Sequence, residues 1–491
     1  MSNRKLSLLA FPVMFAAALN AQTFNDALRF STFDAGSTAR SMGVGGALGA
    51  FGADFSVLSS NPAGIGWYRG SEFHLTPSLM IANTESRLLN DEQGRPRDDG
   101  RSAFGFNSVG IIIASRPRSA NWSGFNFGIG LNRLANFNQE FSYRGFSQGS
   151  IVDRFLEQAN GGQFGAFESN LAIETEAVYE LTPGSDFFGS DFELTPNAII
   201  RRQQEVTTRG GISELVFSFG GNYKERLLVG ATVGVPFLNY NESKDYQEND
   251  DNAEVPFFRN LAYSERLNIT GTGVNLKLGM IYRASQAFRM GFAVHTPTAF
   301  SLSESYRTEM EYSYNTQPDD SGQIIENRAL SPDGLFEYRL RTPWRLIGSL
   351  GYLYEKNGFL SAELEWVNFA NNQFRFPDFP EDERALNAVI ANELESAWNL
   401  RLGGELAMEA FRFRAGLGFQ QSPLANDNSI ATVLSAGVGV RGRSAFLDLA
   451  YQRRSAEDEY RPYLTSGVLP EQVVENLFRR NHLVLTLGFR F

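Results

Sequence analysis

The sequence contains no cysteine, which excludes a disulfide framework, a thiolate metal site and a cysteine nucleophile. Histidine is nearly absent. His74, His295 and His482 are too dispersed to build an imidazole metal cluster, so neither a metal nor another cofactor is expected. Basic charge is also in deficit: 44 Lys and Arg against 55 Asp and Glu leave a net charge of -11, which argues against a nucleic-acid surface. Beyond the N-terminus no apolar run reaches the ~18 residues of a membrane-crossing helix. Aromatic residues and glycine, by contrast, are plentiful. Aromatics make up 13% of the chain, 42 of them Phe, and Gly contributes 47, so disorder is excluded because this much aromatic surface must be buried.

The first residues read as an export signal. Arg4 and Lys5 precede the apolar stretch Leu6 to Leu19, and Asn20-Ala21-Gln22 follows with a small residue before a polar one. Residues 1–21 are expected to be cleaved, leaving a mature chain from Gln22.

After residue 70 the hydrophobic pattern has period two. Leu483, Leu485, Leu487, Phe489 and Phe491 alternate with His482, Val484, Thr486, Gly488 and Arg490. Phe411, Phe413, Ala415 and Leu417 alternate with Arg412, Arg414, Gly416 and Gly418. One apolar face and one polar face describe a half-buried strand. A soluble sandwich core would reject the arginines, whereas a barrel with lipid outside and a polar lumen accepts both faces.

Such segments are expected near 70–83, 105–116, 122–144, 206–223, 226–243, 259–283 and 287–312. Seven more follow near 335–355, 358–373, 397–409, 411–421, 429–441, 444–454 and 476–491. The expected fold is therefore all-β, a 14-stranded antiparallel transmembrane β-barrel over residues 70–491. Connections support it. Those after even strands are tight, at Pro117-Arg118, Lys224-Glu225, Ser285-Gln286, Lys356-Asn357, Glu409-Ala410 and Gly442-Arg443. Those after odd strands are mostly long, as at 84–104, 145–205, 313–334, 374–396 and 455–475. Outer-membrane barrels have short periplasmic turns and long external loops. A two-residue turn at Glu409-Ala410 sets Met408 opposite Phe411, Ala407 opposite Arg412 and Glu405 opposite Arg414. A one-residue slip would put Arg412 and Arg414 into lipid, at ~2–4 kcal/mol each near the midplane. Two external loops have helical character, around Ile151 to Leu156 and from Arg384 to Trp398.

Residues 22–69 do not alternate. They carry the small-residue run Gly36 to Ala47, then Asp54, Ser59-Ser60 and Asn61-Pro62-Ala63-Gly64, which suit close packing as a plug inside the lumen. Here the chain resembles the FadL/TodX family of outer-membrane hydrocarbon and long-chain fatty-acid transporters, which have a fourteen-stranded barrel and an N-terminal hatch ending in Asn-Pro-Ala. Gly279-Met280-Ile281-Tyr282-Arg283, Thr342-Pro343-Trp344 and Leu400-Arg401-Leu402-Gly403 are further stretches of resemblance.

The resemblance implies an outer-membrane channel, not an enzyme. A hydrophobic small molecule would be captured outside and released passively into outer-membrane lipid through a gap at a kink in strand 3. The expected gating and ligand-binding residues are Asn61, Pro62, Ala63, Arg133, Asn136, Lys277, Arg345, Arg401 and Arg414. In strand 3 the alternation reverses at Arg133-Leu134 and is restored by Asn136, Phe137 and Asn138. A straight strand would aim Arg133 at lipid. A bulge removes the conflict, and snorkelling of Arg133 near the membrane edge is the bland alternative. The five lumenal bases have a bland reading too, as members of a charge ladder with Glu363, Glu365 and Glu405. One departure bears on substrate: the end of strand 5, Leu238-Asn239-Tyr240-Asn241, has no base before Lys244, where fatty-acid carriers of the family use basic residues.

Two rivals remain. Gly145-Phe146-Ser147-Gln148-Gly149 matches the nucleophile-elbow pattern, but that motif needs an α/β sheet and a histidine partner. FadL-like barrels can also serve as scaffolds for protein secretion, with an exported protein as partner. An apolar lumen with an open lateral gap favours transport, and a filled lumen with ordered apolar loops favours the scaffold.

Overall fold

The computed structural model describes residues 24–91, 94–119, 121–319, 321–466 and 471–491, so the export signal lies outside the described residues. No described helix is long and apolar enough to cross a membrane. The barrel strands are β1 (Glu72–Leu88), β2 (Arg97–Ser115), β3 (Trp122–Asn136 and Gln139–Gln148), β4 (Ile199–Tyr223), β5 (Leu227–Asn249) and β6 (Phe258–Arg283). They continue as β7 (Phe288–His295 and Ala299–Asn315), β8 (Ile324–Leu330, Gly334–Arg341 and Arg345–Tyr354) and β9 (Gly358–Asn368 and Gln373–Arg375). The last five are β10 (Ser396–Met408), β11 (Phe411–Gln421), β12 (Ile430–Arg441), β13 (Ala445–Tyr460) and β14 (Val474–Arg490). Every neighbouring pair is antiparallel, and β14 returns to β1 with Leu75 opposite Leu487 and Leu79 opposite Leu483, closing a 14-stranded barrel.

The wall is apolar outside and charged inside, as the alternation requires. Leu350, Leu360, Leu364, Leu406, Phe411 and Phe413 are exposed, while the interleaved Arg345, Glu363, Glu365, Arg401 and Arg414 are buried. The expected hairpin register is present, with Met408 opposite Phe411, Ala407 opposite Arg412 and Glu405 opposite Arg414. Lys224 and Glu225 both have positive φ (53° and 54°), the twist that a tight hairpin turn demands. At Pro117-Arg118 the expected two-residue turn is wrong, because β2 ends at Ser115 and β3 starts at Trp122. Strands at the long-loop end run further than alternation indicated. β3 reaches Gln148 and β4 begins at Ile199, since a wall rising out of lipid keeps its backbone ladder without an apolar face.

The connection at 149–198 folds over that end. Helix α3 (Ile151–Asn160) starts at a capping box, in which the Ser150 side chain caps the helix and Asp153 Oδ2 accepts from the Ser150 amide at 2.8 Å. Its Phe155 packs with Val152, Tyr246, Phe258 and Tyr312 in one apolar cluster, joined by α4 (Ser169–Glu174). The second helical loop lies earlier than expected: α5 is Pro380–Glu393, and Ser396 already opens β10 rather than continuing the helix to Trp398.

The N-terminal segment fills the barrel. Its helices α1 (Phe24–Ser31) and α2 (Ala39–Gly43) precede two short 3-10 turns, Phe55–Leu58 and Pro62–Trp67. Thr38, Asp54 and Asn61 each cap the turn that follows with a side-chain oxygen. Val44, Leu48, Phe51, Phe55 and Ile65 pack on wall residues Ile112, Val216 and Phe359.

Candidate functional site

Asn61, Pro62 and Ala63 sit against the inner wall. Asn61 Nδ2 donates to Gly49 O at 2.8 Å and Met280 O at 3.3 Å, while its Oδ1 accepts from the Ala63 amide at 3.2 Å. The wall is bare backbone there. A Cβ at Gly279 would lie 2.1 Å from Asn61 Oδ1, and one at Gly230 would lie 2.3 Å from Pro62 O. Glycine at these strand positions is therefore what lets the motif approach.

The lumenal charges form ion pairs that also hold the plug. Lys277 pairs with Glu214. Arg345 binds Glu365 at 2.6 Å and also donates to Ser31 O at the end of α1. Arg401 reaches Glu363 at 2.8 Å and also Glu365, and Glu363 in turn accepts from the Gly49 amide at 3.0 Å. Arg414 sits between Glu405 and Asp448, 2.7 Å from each, and plug residue Arg40 shares Glu405 at 3.3 Å. Four of the five expected bases are thus ladder members. Arg133 is different: it has no hydrogen-bond or ion-pair acceptor among the described residues.

Strand β3 is irregular where the alternation reverses. Its register against β4 shifts between Arg133 and Ala135, leaving Leu134 as the extra residue of a bulge. The strand then breaks at Phe137-Asn138. Asn136 Oδ1 accepts from the Asn138 amide at 3.0 Å and Asn138 Nδ2 at 2.7 Å, which closes a local turn. β4 contributes Gly210, whose φ of +114° lets its carbonyl take the Phe137 amide at 3.1 Å. On the other side, β2 pairs with β3 only as far as Ser108 opposite Asn132. Further along, side chains rather than backbone join the two strands: Arg101 bonds Glu140 at 3.0 Å, and Asp99 accepts from the Ser142 amide at 2.6 Å. Between these points, the β2 stretch 103–107 has no backbone ladder to β3 among the described residues.

A small cavity of about 60 Å³ lies inside this region, bounded by plug residues Phe33 and Asp34 and by Arg133, Lys277, Arg345 and Arg401. It therefore gathers four of the five expected bases. Arg414 lies elsewhere, with Asp448, and Asn136 does not line the cavity. Toward the long-loop end the lumen becomes apolar. There Phe30 of α1 is fully buried with Leu134, Tyr240, Leu267, Phe300 and Tyr338, its ring 5.8 Å from Tyr240 and 6.0 Å from Phe137.

Several functional partners escaped the sequence reading. Glu214, Asp448 and Arg40 have no local signature, although Glu214 and Asp448 fall on the lumenal parity of their strands. His74 meets Ser108 at 2.6 Å across β1 and β2, a Ser–His contact that was not anticipated. Both are 2% exposed and the imidazole lies against Phe55 of the plug, so the pair offers a substrate no surface. Ser147 of the elbow-like sequence bonds Gln472 at 2.7 Å and has no histidine partner among the described residues.

No family model matches the chain, and no curated protein does. Solved structures do. The chain is similar to a Pseudomonas aeruginosa FadL homologue at 15% identity and a TM-score of 0.57, covering 94% of this chain and 100% of that one. It is also similar to the Pseudomonas putida toluene transporter TodX at 12% identity and a TM-score of 0.51, covering 94% and 100%. Closed barrel, internal plug and correspondence over 94% of the chain together show that this protein has the fold of the FadL homologue and of the toluene transporter TodX.

Proposed function

We propose that this protein is exported to an outer membrane, carries hydrophobic small molecules, long-chain fatty acids or similar compounds, passively across it and releases them sideways between β2 and β3. The observation that carries the reading is the missing ladder beyond Ser108 opposite Asn132, beside a bulge and a strand break. The apolar chamber around Phe30, Leu134 and Phe137 lies beside that break: it suits an alkyl or aromatic group, and Leu134 is the bulged residue itself. The likeness to a FadL homologue and a toluene transporter supports the same class.

Because α1 occupies the chamber, substrate must replace it. Burying a Phe side chain is worth ~1.5–3 kcal/mol and a methylene ~0.8 kcal/mol, so two to four methylenes offset the loss of Phe30. Asn61, Pro62 and Ala63 would hold the rest of the plug while α1 yields. Arg133 and Asn136 would shape the exit, and Lys277, Arg345, Arg401 and Arg414 would keep plug and wall in register through their ion pairs.

A second reading, a scaffold for an exported protein, draws on the filled lumen and on Phe164 and Phe187, which are 51% and 72% exposed on the 149–198 connection. Uptake of labelled fatty acid and toluene into cells making the wild type or Asn136→Ile separates the readings. Transport with lateral release predicts uptake by the wild type and a severalfold loss in the variant, with the barrel still folded. Normal uptake by Asn136→Ile moves the exit elsewhere, and no uptake by the wild type leaves the scaffold.

A further inference from the structure

The inner wall of β13 and β14 holds a charge arrangement that neither the plug nor the ion-pair ladder explains. Arg454 and Arg480 are direct cross-strand partners. Like charges directly opposite each other are destabilising, and among the described residues no carboxylate forms an ion pair with Arg454. Among the described residues, Arg454 Nε donates only to the Gln420 amide oxygen, at 2.8 Å, and Arg480 reaches only Asp34 of the plug, at 3.7 Å. Both guanidiniums line a cavity of about 50 Å³ with Thr84 and Gln139. Thr84 supplies an independent sign: it is 1% exposed and its hydroxyl has no hydrogen-bond partner among the described residues. A buried orphan hydroxyl costs stability unless something meets it.

We propose that Arg454, Arg480 and Thr84 form a binding site for a doubly charged oxyanion, the phosphate monoester group, reached from the strand β3 break through Gln139. The charge balance selects the class. Arg479 also lines the cavity but is matched by Glu85 at 3.4 Å. Arg133 and Asp34 line the adjoining cavity. Not counting the His482 imidazole, four guanidiniums face two carboxylates, which leaves two positive charges. Arg101 and Glu140, further out, cancel each other at 3.0 Å. A monocarboxylate would neutralise half of that excess, whereas a phosphate monoester near pH 7 carries up to two charges and presents three acceptor oxygens. Guanidinium forks match such oxygens bidentately, and a hydroxyl donor completes the set. The site stands whether or not the barrel transports.

The test uses the full mature protein, folded in uncharged detergent at constant ionic strength. Binding is measured by calorimetry for inorganic phosphate, for an acylglycerol phosphate, for the matching neutral acylglycerol and for a fatty acid of the same length. The expected result is binding of the phosphate compounds that falls at least tenfold in both Arg454→Gln and Thr84→Val. Relief of the Arg454–Arg480 repulsion should also raise the thermal midpoint of ligand-free Arg454→Gln, which a purely structural arginine would not do. Inorganic phosphate binding as well as the acylated phosphate identifies the free ion as sufficient; much tighter binding of the acylated form identifies a lipid headgroup. Equal binding of the fatty acid or the neutral acylglycerol, unchanged phosphate binding in Arg454→Gln, or no binding of either phosphate compound overturns the proposal.

Discussion

Replacing Gly279 by alanine should unseat the plug while leaving the barrel intact. The added Cβ would stand 2.1 Å from Asn61 Oδ1 and 2.9 Å from both the Ala63 nitrogen and Pro62 Cδ, so one side must move. The wall is held by ladders to β5 and β7, with Gly279 opposite Gly230 and Ala293, so the plug moves. Asn61 is 1% exposed and its amide makes the three hydrogen bonds to Gly49, Met280 and Ala63. At ~1 kcal/mol each, losing them costs about 3 kcal/mol, a rise of roughly a hundredfold in the unseated population. Hydrogen exchange of amides 61–67 should accelerate by that factor, while the heat-modifiable mobility of the folded barrel on gels is unchanged. The control is Gly348→Ala, whose Cβ meets nothing within 4 Å. Wild-type exchange at 61–67 in Gly279→Ala would refute the reasoning, because the seat would then tolerate a methyl that geometry forbids. Asn61→Ala with Pro62→Ala should reach the same loosened state from the plug side and change passage of substrate; unaltered flux and ligand affinity would make the plug passive.

Two further outcomes follow from buried charge and from the external cap. Glu405→Gln removes the negative charge shared by Arg414, whose side chain is fully buried, and Arg40. Breaking a buried pair costs ~3–5 kcal/mol, and with Asp448 still 2.7 Å from Arg414 the lower end is expected, read as a lowered urea midpoint of the barrel in lipid vesicles. At the start of α3, burial pushes the Asp153 carboxyl up to about 6, with Glu248 and Glu157 adding to the effect and the Ser150 amide and Arg202 opposing it. The folded loop therefore holds its proton more tightly than the unfolded chain does. Loop stability should be greatest below pH ~4, decline by up to about 3 kcal/mol as pH rises to ~6, and stay level above. Hydrogen exchange across residues 150–160 would show it, and Asp153→Asn should flatten the profile.

The barrel was legible because lipid and a polar lumen impose opposite demands on alternate residues. Leu400, Leu402 and Leu406 face outward while Arg401 and Glu405 face inward, and one shifted residue would reverse all of them. The hairpin at Glu409-Ala410 could be paired in advance for that reason. The bulge at Arg133-Leu134 was legible as a fault in the same alternation. Strand ends were not, because beyond lipid both faces are polar and only the backbone ladder continues, as in β4 from Ile199.

The candidate site divides along the same line. That Arg345, Arg401 and Arg414 point inward was decided by parity along the strand, a property of the sequence alone. That they are consumed by Glu365, Glu363, Glu405 and Asp448 was decided by which strands are neighbours and how they are staggered. Arg133 left without an ion-pair acceptor among the described residues, Arg454 set against Arg480, and Phe30 lodged in the apolar chamber are likewise tertiary facts. Alternation is local because lipid acts on each residue separately. Charge pairing and lumen filling join residues as far apart as Asp34 and Arg480, and only the closed barrel brings such positions within reach.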